Sequence, residues 1–143
     1  MNFTIPGEPK GKGRPRFTKS GQTFTPKETA SYENLVKVCY MEAAKEQGVE
    51  MIPADVPVEV YIVAAFGIPK SFSKAKRERA LGGDIYPTKK PDCDNIIKII
   101  CDALNGIAYA DDKQVVYVSC EKGYEEQPNV FVSRQDVKIE NKS

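Results

Sequence analysis

Hydrophobic positions along this chain switch between two periods, and the switches mark the elements. Val58-Glu59-Val60-Tyr61-Ile62 alternates with period two, and Val63-Ala64-Ala65-Phe66 is then apolar on both faces, which predicts a central strand over 58–66. Phe3-Thr4-Ile5 predicts an opening strand edged by Pro6, and Val115–Cys120 and Asn129–Ser133 predict two closing strands separated by a turn from Gly123 to Pro128. Arg16–Thr18 and Thr23–Thr25 flank Ser20-Gly21 as a short hairpin. Three- and four-residue spacing takes over elsewhere. Tyr32, Leu35, Val36, Cys39, Tyr40 and Ala43 form one stripe of a helix that opens at Thr25-Pro26-Lys27-Glu28, which reads as a capping box with Pro at the first helical position, and stops at Gly48. Ser73–Leu81 predicts a basic helix stopped by Gly82-Gly83. Ile96, Ile97, Ile99, Ile100, Cys101, Ala103 and Leu104 give a third helix, from about Asn95 to Asn105, a wide buried face. Strands and helices mixed in this order predict an α+β fold, with helices packed mainly on one face of a mixed sheet.

Composition narrows the class. The chain has 143 residues, 41% of them hydrophobic, enough for one core and too few for two ordinary domains, so residues 1–143 are expected to form a single domain. The start carries no apolar leader and no run approaches a membrane span, which predicts a cytoplasmic protein. Four scattered cysteines, Cys39, Cys93, Cys101 and Cys120, with no C-x-x-C and no histidine anywhere, exclude a zinc site and a disulfide framework; they are expected to be reduced and mainly buried. The net charge of +1 conceals alternation: residues 1–20 carry +4, 21–69 carry −4, 70–90 carry +5 and 91–143 carry −4. Solvated faces produce such a pattern, and so does a protein that offers a cationic surface to a polyanion beside an acidic site.

The acidic candidate is Pro91-Asp92-Cys93-Asp94-Asn95-Ile96-Ile97-Lys98, followed by Asp111-Asp112. Crowded carboxylates repel by roughly 4 kcal/mol per pair at 4 Å and an effective dielectric near 20, so such a cluster calls for a cation. Oxygen donors without nitrogen or sulfur point to Mg²⁺, with Mn²⁺ as the alternative. Asp94 sits at the expected N-cap, where an ordinary capping role is also open. Asp92, two residues earlier on extended backbone, would turn its carboxylate to the same side. Asn95, Lys98, Asp102 and Asn105 fall on one polar edge of the third helix, and Lys98, in the first turn, opposes the helix dipole unless a carboxylate or phosphate favours it. Asp111-Asp112 precedes a strand and could return to the same site or serve a plain turn. An EF-hand loop fails because Ile96 and Ile97 stand where a ligand and the glycine belong, and a Cys nucleophile lacks a histidine base.

Asp92-x-Asp94-Asn95-x-x-Lys98, Asp102-Ala103-Leu104-Asn105 and Asp111-Asp112-x-Gln114-Val115, with Gly11-Lys12-Gly13-Arg14-Pro15-Arg16 ahead of them, resemble the RusA-type Holliday junction resolvases, metal-dependent endonucleases of bacteria and phages. The resemblance implies an active site of Asp92, Asp94, Asp112 and Lys98, with metal held by the three aspartates and Asp111 as a weaker ligand. The longer N-terminal segment and the basic stretch from Lys70 to Lys90 depart from the short members. The resemblance further implies hydrolysis of phosphodiesters in four-way junctions and other branched DNA. On charge alone, the basic loop and the basic stretch 70–90 are expected to hold the strands by phosphate contacts through Lys10, Lys12, Arg14, Arg16, Lys19, Lys74, Lys76, Arg77, Lys89 and Lys90. Paired incisions on a two-fold substrate predict a homodimer. The rival readings are a branched-DNA-binding module without catalysis and a Mg²⁺ nuclease without junction preference.

Overall fold

A computed structural model describes residues 1–14, 16–24 and 26–137. Its main sheet has four strands in the order β1 (Asn2–Pro6), β6 (Asn129–Asp136), β4 (Val58–Gly67), β5 (Val115–Glu125). β6 runs antiparallel to both β1 and β4, whereas β4 and β5 are parallel, so the sheet is mixed as expected. A separate hairpin pairs β2 (Arg16–Phe17) with β3 (Thr23–Phe24). Three helices complete the chain: α1 (Lys27–Gln47), α2 (Lys74–Leu81) and α3 (Cys93–Leu104).

Alternation places the core. Val58, Val60, Ile62, Ala64 and Phe66 of β4 and Val130 and Val132 of β6 are buried together with Val36 and Tyr40 of α1 and Ile96, Ile99, Ile100, Ala103 and Leu104 of α3. Burying each Val, Ile or Leu side chain of that set is worth about 2 kcal/mol. The covered face of β6 also carries Arg134, whose Nη1 donates to Tyr40 Oη at 3.1 Å and to the carbonyls of Glu50 and Ala108 at 3.0 Å each. On the opposite side of the sheet the Tyr61 and Tyr117 rings lie 5.4 Å apart. Phe72, just before α2, meets Tyr124 of β5 edge-on at 5.7 Å, which sets the basic helix beside the sheet's outer strand.

Several boundaries differ from the expectations. α3 begins at Cys93 with Asp92 as its N-cap, two residues before the expected start, so Asp94 lies inside the first turn and Lys98 in the second. β5 continues through Gly123 to Glu125, because pairing with the long β4 extends the ladder past the glycine. Pro26 is the N-cap of α1 and gives no side-chain cap; the expected capping box needs Thr25, which lies outside the described residues. Leu35 points outward, and Thr29 and Ala44 join the buried stripe of α1. All four cysteines are free thiols, as expected, yet each is half-buried and not enclosed, since each sits at the rim of a packed face. Among the described residues no helix is long and apolar enough to cross a membrane.

Candidate active site

The acidic edge begins where α3 does. Asp92 occupies the N-cap with φ −78° and ψ 165°, but its side chain caps no helix amide; Oδ1 instead accepts from Asn95 Nδ2 at 2.7 Å. Asp94, in the first turn, is exposed, as are Asp92 and Lys98. Two anions at a helix N-terminus are favoured by the dipole, so the fold accepts these carboxylates without a cationic partner. Lys98, one turn on from Asp94, reaches Asp102 Oδ2 at 3.8 Å. In the second turn it opposes the dipole less than a first-turn cation would.

Asp111 and Asp112 arrive by a different device. Asp111 is the N-cap of a 3-10 turn, Asp112–Gln114, that closes a capping box: its Oδ1 accepts from Lys113 N at 3.0 Å, and Gln114 Oε1 accepts from Asp111 N at 2.8 Å. The Lys113 amide, with Asp112's carboxyl as a second hydrogen-bonding neighbour, holds Asp111 below the usual carboxylate range. Gln114 is buried and its Nε2 donates to the carbonyls of Pro53 (2.6 Å) and Val56 (2.9 Å), fastening the turn to the loop before β4. Asp112 is left exposed at the start of the turn. Its charge is felt on α3: burial pushes the thiol of Cys101 up, with Asp102 and Asp112 adding to the shift, and burial likewise raises the Tyr109 phenol. Asp111 is therefore committed to the turn, and Asp112 is the member of the pair free to meet a ligand.

Among the described residues no three acidic, Cys or His side chains converge closely enough to form a metal cage. The donor set still suits a hard divalent ion, because Mg²⁺ is ordinarily held by one or two carboxylates plus waters and substrate phosphate oxygens. Asp92, Asp94 and Asp112 are exposed oxygen donors of that kind.

Beside Asp92 runs a groove of about 840 Å³, lined by residues 9–12, by Arg14 and Glu28, and by residues 88–91. Lys10, Arg14, Lys89 and Lys90 from the expected set line it, with Lys122 of β5, which sequence reasoning missed. Lys122 Nζ donates to the Lys89 carbonyl at 2.6 Å and stands 5.2 Å from the Phe66 ring centroid, with Lys89 Nζ at 5.7 Å from the same ring. Lys122 lies on the inward side of an edge strand, where an apolar residue would be the default, and that position was the available signal. Lys12 also borders the groove, but its Nζ is taken by Glu33 Oε1 (3.1 Å) and Asp102 Oδ2 (3.3 Å). Lys19 is exposed in the hairpin turn. Lys74, Lys76 and Arg77 stand on α2, outside the groove; Lys76 lies 4.2 Å from the Phe72 centroid and Arg77 meets Glu126 at 3.6 Å. Arg16 contributes its backbone to β2.

An α+β sheet that carries bare carboxylates at a helix head, next to a cation-lined groove, defines a protein built to handle a phosphodiester backbone. The family model described as endodeoxyribonuclease RusA matches residues 6–134, and the chain belongs to that family. It is thus an endodeoxyribonuclease of the Holliday junction resolvase class, which acts on branched DNA in recombination and repair and depends on a divalent metal. The chain is also 34% identical over 137 residues to "Uncharacterized protein YqaN" of Bacillus subtilis (strain 168), covering 96% of each protein.

Proposed function

We propose that this resolvase uses Mg²⁺, with Mn²⁺ able to replace it, held by Asp92, Asp94 and Asp112, and that its preferred substrate is the four-way junction. The observation that carries this reading is the position of Asp92: it stands at once at the head of α3, beside Asp94, and on the wall of the cationic groove. A strand lying in that groove brings its phosphates to the carboxylates. When bound there, a divalent cation supplies an acidified water and neutralises charge on the scissile phosphate.

The chain's own residues do the rest. Lys98, 62% exposed and only loosely paired, is free to swing from Asp102 to a phosphate or leaving oxygen, where charge builds in the transition state. Asn95 holds the Asp92 carboxylate through its 2.7 Å hydrogen bond, leaving the second oxygen for a ligand. Lys10, Arg14, Lys89 and Lys90 seat the backbone, assisted by Lys19, Lys74, Lys76 and Arg77 on flanking arms. The protein acts in the cytoplasm of a bacterium or its phage-infected host. Two copies related by a two-fold axis place two such sites on one junction. The free edge of β5, with Val116, Tyr117 and Val118 exposed, is the apolar surface available for pairing.

Nicking of a synthetic four-way junction, a fork and a linear duplex, each with Mg²⁺ or with EDTA, tests the proposal. Paired incisions restricted to the junction and abolished by EDTA are expected. Equal cutting of all three substrates would overturn the junction preference, and EDTA-resistant cutting would overturn the metal.

A further inference from the structure

The loop Gly11-Lys12-Gly13 lies tight against α1 and α3. Lys12 N donates to the Asn95 carbonyl at 3.0 Å, and Gly13 N donates to Thr29 Oγ1 at 3.0 Å. A Cβ on Gly11 would fall 2.8 Å from Pro91 Cβ and 2.9 Å from Asn95 Cβ, and one on Gly13 would fall 2.6 Å from Thr29 Oγ1. Both glycines are needed for backbone to lie this close to α1 and α3. Between them the Lys12 ammonium bridges Glu33 of α1 and Asp102 of α3; its side chain is 18% exposed, against 62% for Lys98.

The partners of this strap are the partners of the active site. Asn95, whose carbonyl the strap engages, holds Asp92 through its side chain. Asp102, whose Oδ2 the Lys12 ammonium engages, is also the contact of Lys98. One loop therefore touches the residue that orients a metal-ligand candidate and the residue that restrains the catalytic lysine. An ammonium with two of its three N–H donors on carboxylates, on a side chain four-fifths covered by protein, has little left to offer a phosphate.

We infer that Lys12 is a positioning residue and not a phosphate contact: the Gly11–Gly13 strap, through Asn95 and Asp102, sets the Asp92 carboxylate and the Lys98 ammonium against each other. This inference rests on the catalytic reading above. It separates Lys12 from its groove neighbours Lys10, Arg14 and Lys89, whose charged groups meet no carboxylate among the described residues.

The test compares Lys12→Met, Lys12→Arg and Glu33→Gln with the wild-type protein in two measurements, the single-turnover rate on a four-way junction in Mg²⁺ and the salt dependence of junction binding. Lys12→Met is expected to cut about 10- to 100-fold more slowly, the range for loss of a residue that orients a ligand. Its log–log salt slope should equal that of the wild type, whereas loss of a phosphate contact would flatten it by about 0.9. Glu33→Gln leaves the ammonium in place and frees it for DNA, yet should slow cutting as Lys12→Met does. Lys12→Arg, which can span both carboxylates, should recover most of the rate. A flattened slope in Lys12→Met, or a wild-type rate in both Lys12→Met and Glu33→Gln, would overturn the inference. If Lys12→Met fails to fold, Glu33→Gln decides the rate and Lys12→Gln replaces it for the slope. A wild-type protein that does not nick overturns the catalytic reading instead, and the salt slopes still decide whether Lys12 meets phosphate.

Discussion

Arg134 and the aspartates Asp92, Asp94 and Asp112 all carry formal charges, and the fold treats them in opposite ways. Arg134 is 6% exposed, no carboxylate bridges it among the described residues, and its charge is spread over two backbone carbonyls and a tyrosine hydroxyl. It ties β6 to α1 and to the loops at Glu50 and Ala108, so it spends its hydrogen bonds on the fold. The aspartates are exposed; Asp92 accepts one hydrogen bond from Asn95, Asp112 neighbours the Asp111 carboxyl, and among the described residues none of the three is paired with a cation. What the difference teaches is where to look for chemistry. A charged group whose bonding capacity is consumed by protein has little left for a ligand, and one held in place with oxygens unspent is poised for it.

The largest expected effect follows from that contrast. Replacing Asp92, Asp94 or Asp112 by Asn should reduce junction cleavage by at least about 1,000-fold, because the amide keeps the shape and loses the charge a divalent ion requires. Each variant should unfold within about 0.5 kcal/mol of the wild type, as exposed side chains away from packed features do. Chemical denaturation beside a cleavage assay reads both numbers. Destabilisation by several kcal/mol in these variants would mean that the carboxylates serve the fold after all.

Arg134→Met should do the reverse. It strands the Glu50 and Ala108 carbonyls and the Tyr40 hydroxyl, costing about 3 kcal/mol of stability. Folded protein at low temperature should still bind a junction like the wild type, and a normal denaturation midpoint would break the comparison from the other side. Gln114→Leu sits between the two classes, since Gln114 both anchors the Pro53–Val56 loop and closes the turn that presents Asp112. It should cost about 2 kcal/mol and slow cleavage several-fold, a joint loss that neither Arg134→Met nor Asp112→Asn shows.

How far these roles were legible in sequence depends on the range of the contacts that create them. The strands and helices were readable because their periods are local, and β4 was placed at the sheet's centre from its two apolar faces. The start of α3 slipped by two residues because Asp92 and Asp94 are equally good caps in sequence, and only the backbone chooses. The acidic residues were singled out by composition and spacing, but the expected three-carboxylate crowd is looser than charge density alone suggested. The contacts of Arg134, Gln114 and Lys12 were not legible because their partners lie far along the chain: 94 residues away for Tyr40, 61 for Pro53 and 21 for Glu33. Two signals were available. Asp111 and Gln114 have capping-box spacing, and Arg134 continues the inward register of Val130 and Val132.

The smallest expected effect separates the two basic regions that charge counting treated alike. Lys89 and Lys122 face the groove beside Asp92 and both lie over the Phe66 ring, whereas Lys74 and Lys76 stand on α2 outside it. A phosphate bound in the groove releases counterions from the DNA, and each contact contributes about 0.9 to the slope of log affinity against log salt on duplex arms. Lys89→Gln with Lys122→Gln should therefore flatten that slope by up to about 1.8, with affinity falling most at low salt. Lys74→Gln with Lys76→Gln removes the same formal charge from outside the groove, where fewer phosphate contacts are expected, so the slope should change by less. Titration of junction binding over a range of salt concentrations, with both double variants and the wild type, measures the difference directly. Equal slopes for the two variants would show that the groove has no privileged place in the DNA path. A larger change from the α2 pair would move the strand out of the groove altogether.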